Sequence, residues 1–223
     1  MSCIKVKFLI CCIFLFHYSS SAQDPIAWKK QIKNADGTEI EKSKFNEEGS
    51  KSLPETSCLF ALKTRDGKVY NKVRGRIDLQ LESFIFSLDN QEFKCILPLV
   101  EIIVDSCNST LSGSVFRTGF PAIDKQKENS IYQVLSKGKA ILLKHYSISW
   151  QDLTPYNSAN TTRVYSQLQQ YYLFFNGKMF SLDKNKKDIV NISSTTKSFI
   201  SRNKLNLKKE EDLVKFITYY NSL

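Results

Sequence analysis

The sequence predicts an α+β domain: a mainly antiparallel, strongly twisted sheet or open barrel of about seven to nine strands, closed at one end by two C-terminal helices. Three observations carry this expectation. From Cys58 to Leu182, apolar and polar residues alternate and turn signals recur at short intervals, the pattern of consecutive antiparallel strands. From about residue 195 onward the apolar period lengthens from two to nearly four, so the sheet gives way to helices. No internal repeat or low-complexity linker divides the 223 residues, and one domain over 57–223 is the simplest organisation.

Taken in chain order, Met1–Ala22 combines a basic start (Lys5, Lys7), an apolar run from Phe8 to Phe16 and the small residues Ser19–Ala22. This reads as a secretory signal peptide cleaved before Gln23. Its apolar run is about half of the roughly 20 residues a spanning helix needs, and no later stretch is long enough. Residues 23–56 are polar and weakly patterned, and read as an N-terminal arm that Trp28 pins to the body and Pro54 closes.

Within the β-rich region, Asp66-Gly67 divides Leu59–Thr64 from Lys68–Val73, and a two-residue Asp-Gly loop suits a type I′ hairpin. Ile77, Leu79 and Leu81 alternate with Asp78, Gln80 and Glu82; the apolar set then shifts to Phe84, Phe86 and Leu88, which implies a bulge or corner near Ser83. Asp89-Asn90 turns the chain into Phe93–Leu97, and Pro98, lacking a donor, separates that strand from Leu99–Val104. Residues 105–124 read mainly as loop with a short strand at Val115–Phe116. Strands Ile131–Leu135 and Ala140–Trp150 flank Lys137-Gly138, and Tyr171–Phe175 and Lys178–Leu182 form a hairpin on Asn176-Gly177. Ser194 or Thr195 starts a short helix through Arg202. Leu213, Phe216, Ile217 and Tyr220 make one face of a second helix, whose first turn carries Glu210, Glu211 and Asp212 where the helix dipole favours negative charge.

The residues Asp66-Gly67-Lys68-Val69-Tyr70, Gly138–Lys144, Tyr171–Lys178 and the tail from Phe199 to Asn221 resemble a family of secreted proteins from Bacteroidetes bacteria. The likeness spans Cys58 to the end. It implies an exported, β-rich bacterial protein and carries over no catalytic residue, because its motifs are turns, strands and a packing helix.

Composition narrows the function classes. The chain is 42% hydrophobic with only 5 Pro and 8 Gly, which excludes a disordered tail, a collagen-like repeat and a dense disulfide scaffold. Beyond the signal peptide one histidine remains, His145, and three cysteines, Cys58, Cys95 and Cys107. At most one internal disulfide is then possible; Cys95 with Cys107 is the favoured pair, and the alternative is that all three are buried as small hydrophobes. Neither a Cys-x-x-Cys nor a His-x-x-x-His spacing is present, so no metal site is expected, and without a Gly-rich phosphate loop no cofactor is expected. His145 is the only imidazole for nucleophilic chemistry, and the plainer reading is a partly buried strand histidine. Asp78, Glu82, Glu101, Asp105 and Asp152 are candidates for a glycosidase carboxylate pair, although their spacing selects none of them. Glu101 interrupts the apolar run Ile96–Val104, so it either points toward a cation or marks the wet face.

The charge surplus favours anionic partners. Removing Lys5 and Lys7 with the signal peptide lowers the formal charge from +10 to +8, still basic, with Lys184, Lys186 and Lys187 clustered after the last hairpin. Trp150, Tyr156, Tyr171 and Tyr172 are the candidate contact aromatics. The sequence thus points to a non-enzymatic binding or accessory module of the cell envelope, engaging an envelope protein or an anionic glycan or lipopolysaccharide; export disfavours nucleic acid. A carboxylate-dependent glycan hydrolase is the alternative. Mass spectrometry of the protein purified from its own host is expected to give a chain beginning at Gln23; a chain that retains Met1 would refute the signal-peptide reading.

Overall fold

The computed structural model describes residues 46–182 and 194–223, leaving out 108, 155 and 157–159. The signal segment, most of the polar arm and Lys184, Lys186 and Lys187 lie outside the described residues. The fold is one open sheet of eleven strands with two C-terminal helices, more strands than the seven to nine expected. The strands are β1 (Asn46–Glu48), β2 (Ser52–Thr64), β3 (Val69–Asp78), β4 (Ser83–Leu88), β5 (Gln91–Lys94), β6 (Leu99–Ser106), β7 (Val115–Arg117), β8 (Tyr132–Ser136), β9 (Ala140–Leu153), β10 (Thr162–Phe175) and β11 (Lys178–Ser181). The helices are α1 (Ser194–Arg202) and α2 (Glu210–Ser222). No helix among the described residues is long and apolar enough to cross a membrane.

Strand order is β1-β10-β9-β8-β7-β6-β2-β3-β4-β5, with β11 pairing the end of β10, and every pairing is antiparallel except the parallel contact of β1 with β10. This order forces curvature. β1 and β2 lie six positions apart in the sheet but are joined by only Gly49–Lys51. Six strand spacings in a flat sheet span about 29 Å, whereas the four peptide steps from Glu48 to Ser52 reach at most roughly 14 Å. The sheet therefore curls, and its concave side is filled by Phe60, Leu62, Phe84, Phe86, Ile102, Val104 and Phe116. Phe60 and Phe84 meet edge to face at 4.9 Å, the favoured aromatic geometry. Gly75 of β3 lies where a Cβ would collide with the Ile85 carbonyl and the Phe84 ring of β4, so a side chain there would push the two strands apart.

The turns explain themselves locally. Asp89-Asn90 and Asn176-Gly177 are two-residue loops with positive φ at both positions (50° and 64°, 49° and 73°), as type I′ demands. Asp66-Gly67 differs from expectation: Gly67 N–H donates to the Thr64 carbonyl, Thr64 N–H donates to Lys68 O, and Gly67 alone has positive φ, 86°. The loop is the three-residue form that ends in a left-handed glycine, because Asp66 keeps ordinary φ. Leu79 and Leu81 are not in a strand. β3 stops at Asp78, whose Oδ1 accepts the N–H groups of Gln80 (2.9 Å) and Leu81 (2.8 Å) and turns the chain ahead of Ser83, where a bulge or corner is expected.

Two strands come from stretches read otherwise. β1 and the first residues of β2 belong to the polar stretch 23–56, and Thr162–Gln170 of β10 carries no period-two apolar signal because most of its residues are polar and half-buried on either face. The helices lie where the apolar period places them. α2 buries Leu213, Phe216 and Ile217 against Ala140, Leu142 and Leu173, and it starts without a side-chain cap, its first turn carrying Glu210, Glu211 and Asp212 instead. Its far end is tied down by Asn221, which accepts from Ala140 N–H at 2.8 Å and donates to the Ala140 carbonyl at 2.8 Å.

The disulfide is Cys58–Cys107, not Cys95–Cys107. β2 neighbours β6 with Leu59 opposite Ser106, which sets the Cα atoms of Cys58 and Cys107 5.1 Å apart, within the range a disulfide spans. Cys95 is a free, buried thiol whose backbone N–H donates to Phe84 O at 2.8 Å, on the far side of β4 from that pair. Closing a separation of 49 residues is worth about 4 kcal/mol in the chain-entropy account, so Cys58→Ser should lower unfolding stability by that order and Cys95→Ala by much less. Denaturant unfolding checks this; equal losses in the two variants would contradict the assigned pairing.

Candidate functional site

Two places on the structure combine accessible surface with chemistry. The first is a cleft of about 590 Å³ whose walls include Glu82, Asp124, Gln126, His145, Ser147 and Gln170. Register builds one wall: Tyr132 of β8, His145 of β9 and Gln170 of β10 are Cα partners, so their side chains project from the same face in one row. The curl brings the β3–β4 corner to this row. There Glu82, at φ 44°, sits with Oε1 3.3 Å from His145 Nε2 and accepts from the Ser130 hydroxyl on Oε2 at 3.1 Å. The Tyr172 hydroxyl lies 3.2 Å from Gln126 Oε1 and 3.3 Å from Gln170 Oε1, and its one proton is donated to one of these two carbonyl oxygens at a time.

The electrostatics follow from these contacts. The hydrogen bond to His145 holds the Glu82 carboxyl below its ordinary range against the opposing effect of burial; the imidazole's charge, Ser130 and Lys127 add to the lowering. Glu82 is therefore ionised near neutral pH and cannot serve there as a general acid. His145 is 2% exposed, and its Nδ1, like the Tyr132 hydroxyl, is buried without a hydrogen-bond partner among the described residues. Burial pushes the Tyr132 phenol well above its usual range. A nucleophile–imidazole–carboxylate relay needs a hydroxyl on the ring nitrogen opposite the carboxylate, and none is bonded there among the described residues.

The other candidate carboxylates are occupied structurally or lie apart. Glu101 does meet a cation: it accepts from Arg117 Nε of β7 at 2.7 Å. Asp152 is paired with Arg163 by hydrogen bonds of 2.7 and 2.8 Å, Asp78 caps its turn, and Asp105 is exposed on β6. Among the described residues no group of three or more His, Cys, Asp and Glu side chains is arranged to hold a metal ion.

The second place is the outer half of the β9–β10 hairpin. β8 follows β9 only as far as the Tyr132–His145 pair, whereas β9 and β10 continue together to Leu153 and Thr162. Beyond His145 the two strands continue without β8, with β1 on the other edge of β10 at Thr162–Val164, and this ribbon exposes Trp150 (51%), Leu153 and Leu168. The Arg163 guanidinium lies 5.6 Å from the Trp150 ring centroid.

The candidate aromatics thus part company. Trp150 and Tyr156 are exposed, Tyr156 almost fully. Tyr171 is half-buried and donates to Glu210 Oε2 at 2.6 Å, and Tyr172 is buried against Tyr132 with centroids 5.7 Å apart, so these two serve the interior. Asp124, Gln126 and Gln170 are cleft residues that no local signal in the sequence marks. Compared with family models, curated proteins and solved structures, the chain matches none.

Because its carboxyl is depressed in the folded state, Glu82 adds stability above the ordinary value of 4.5, and that stability is lost as pH falls through the folded value. The group is 41% exposed, so the contribution is under about 1 kcal/mol. Unfolding measured from pH 7 to pH 3 should show wild type and Glu82→Gln differing at neutral pH and converging in acid. A gap that stays constant across the range would contradict this account of the carboxylate.

Proposed function

We propose that the chain is an exported, non-enzymatic binding module of the bacterial cell envelope and that the β9–β10 ribbon is the surface that meets its partner, an envelope protein. The observation that carries this reading is the exposure of Trp150 at 51% on the β9–β10 hairpin, with the Arg163 guanidinium on the same face 5.6 Å from its ring. An exposed large aromatic beside an arginine is the composition of a protein-binding hot spot; Leu153 and Leu168 are exposed on the opposite face of the hairpin. The signal-peptide pattern of Met1–Ala22 and the likeness to secreted Bacteroidetes proteins support export.

Hydrolysis of glycan is the weaker reading. Retaining or inverting chemistry requires one carboxyl that stays protonated to donate to the leaving oxygen. Glu82 is held ionised, while Glu101 and Asp152 are committed to arginines. A salt-sensitive association with an anionic envelope component would place the driving force in the lysines instead.

Affinity capture from solubilised envelope of the host, at low and high salt, tests the proposal. A partner retained at high salt and weakened about tenfold or more by Trp150→Ala, with thermal unfolding unchanged, is the expected outcome. Retention that Trp150→Ala leaves intact, or capture only of material released by salt, would overturn it.

A further inference from the structure

We propose that the cleft walled by the Tyr132–His145–Gln170 row is a binding site for a neutral sugar, held through its hydroxyls by Glu82, Asp124, Gln126 and Gln170. The site lies at the base of the ribbon and is independent of the surface around Trp150.

Size and lining chemistry point the same way. A volume of about 590 Å³ falls within the roughly 300–1,000 Å³ range of small-molecule pockets. The lining alternates acceptors and donors: the carboxylates of Glu82 and Asp124 accept, the carboxamides of Gln126 and Gln170 do both, and Ser147 adds a hydroxyl. A sugar hydroxyl donates once and accepts twice, so neighbouring hydroxyls are matched by a carboxylate beside a carboxamide. A purely acidic wall would select a cation and a basic wall an anion; this wall is mixed.

Charge excludes the anionic ligands that the rest of the molecule would attract. The chain carries +10 overall, yet this cleft presents the carboxylates of Glu82 and Asp124, with Lys125 in its lining and Lys127 near Glu82. A phosphate or carboxylate ligand would face the ionised Glu82. An uncharged polyol meets no such repulsion.

The wall is organised in advance. Glu82 is fixed from both oxygens, by His145 Nε2 and by Ser130, on a left-handed backbone at φ 44° that a glutamate rarely adopts. The Tyr172 hydroxyl sits within hydrogen-bond distance of the Gln126 and Gln170 carbonyl oxygens. His145, 2% exposed and part of the lining, holds a buried Nδ1 with no hydrogen-bond partner among the described residues.

The imidazole also reports on the site, since His17 in the leader is the only other histidine of the chain. The test titrates the purified protein with D-glucose, D-galactose, D-mannose and N-acetyl-D-glucosamine, following the His145 ring resonances by NMR and the heat by calorimetry. One of these sugars is expected to shift the His145 resonances saturably. Asp124→Asn and Gln170→Ala should each weaken that binding at least tenfold with thermal unfolding unchanged, whereas Trp150→Ala should leave it intact. No saturable shift with any of the four sugars, or binding indifferent to both cleft variants, would overturn the proposal. Saturable binding of methylammonium in preference to every sugar would overturn it in favour of a cation site.

Discussion

Three residues, Gly49–Lys51, join strands that stand six places apart in the sheet, and the rest of the architecture answers to that constraint. A flat or gently twisted sheet cannot satisfy it. With β1 hydrogen-bonded to β10 and β2 to β3 and β6, the sheet must roll until its two regions approach. The rolled sheet encloses its own apolar side, so with two short helices among the described residues it still buries Phe60, Leu62, Ile102, Val104 and Phe116 almost completely. The register breaks in β2, between Leu53 and Cys58 and between Phe60 and Leu62, are the local means of bending, since each lets one strand turn relative to its neighbour. Cys58–Cys107 then fastens β2 to the end of β6 at the first of these breaks.

The same roll pins β9 from both faces. Successive residues of a strand point to opposite sides, and Lys144 and His145 each find a carboxylate there. Lys144 lies 2.6 Å from Glu210 of α2 and 4.9 Å from the Tyr146 ring centroid, so a buried ammonium is neutralised on the helix side. Burial is the largest single effect and depresses it; the hydrogen bonds and charges of Glu210 and Tyr146 together outweigh burial and leave the shift upward. His145 meets Glu82 on the other side. Two contacts between residues far apart in sequence therefore hold one strand, and they do so immediately before the point where β8 stops and β9 continues with β10 alone. The cleft opens beside this firmly held stretch.

What could be read from the sequence, and what could not, divides by range. The turn at Asn176-Gly177 and the start of α2 behind Glu210–Asp212 depend on residues next to one another, and both lie where the pattern placed them. The early part of β10 is not legible in the sequence because Ser166, Gln167, Gln169 and Gln170 deny it an apolar face, and its pairing with β1 at Thr162–Val164 leaves no apolar mark. The cysteine pairing went astray because Cys95 and Cys107 are near in sequence, whereas β6 neighbours β2 and not β5. The cleft is the extreme case. Glu82 is one of five candidate carboxylates that spacing does not separate and His145 is the sole imidazole of the β-rich region, but their meeting, and the addition of Asp124, Gln126 and Gln170, are products of the roll, which is a property of strand order rather than of any local window.

A molecule whose surface is broadly basic thus carries one mixed, partly acidic hollow and one apolar ribbon, both consequences of how far the sheet turns on itself. The contact that tests this most directly is the one between the β3–β4 corner and β9. Nuclear Overhauser effects from the His145 ring protons should reach the Glu82 side chain as well as the flanking Tyr132 and Gln170. A ring that shows only its strand neighbours, with no effect to Glu82, would mean that the sheet does not roll this far, and both the cleft and its organised wall would be lost with it.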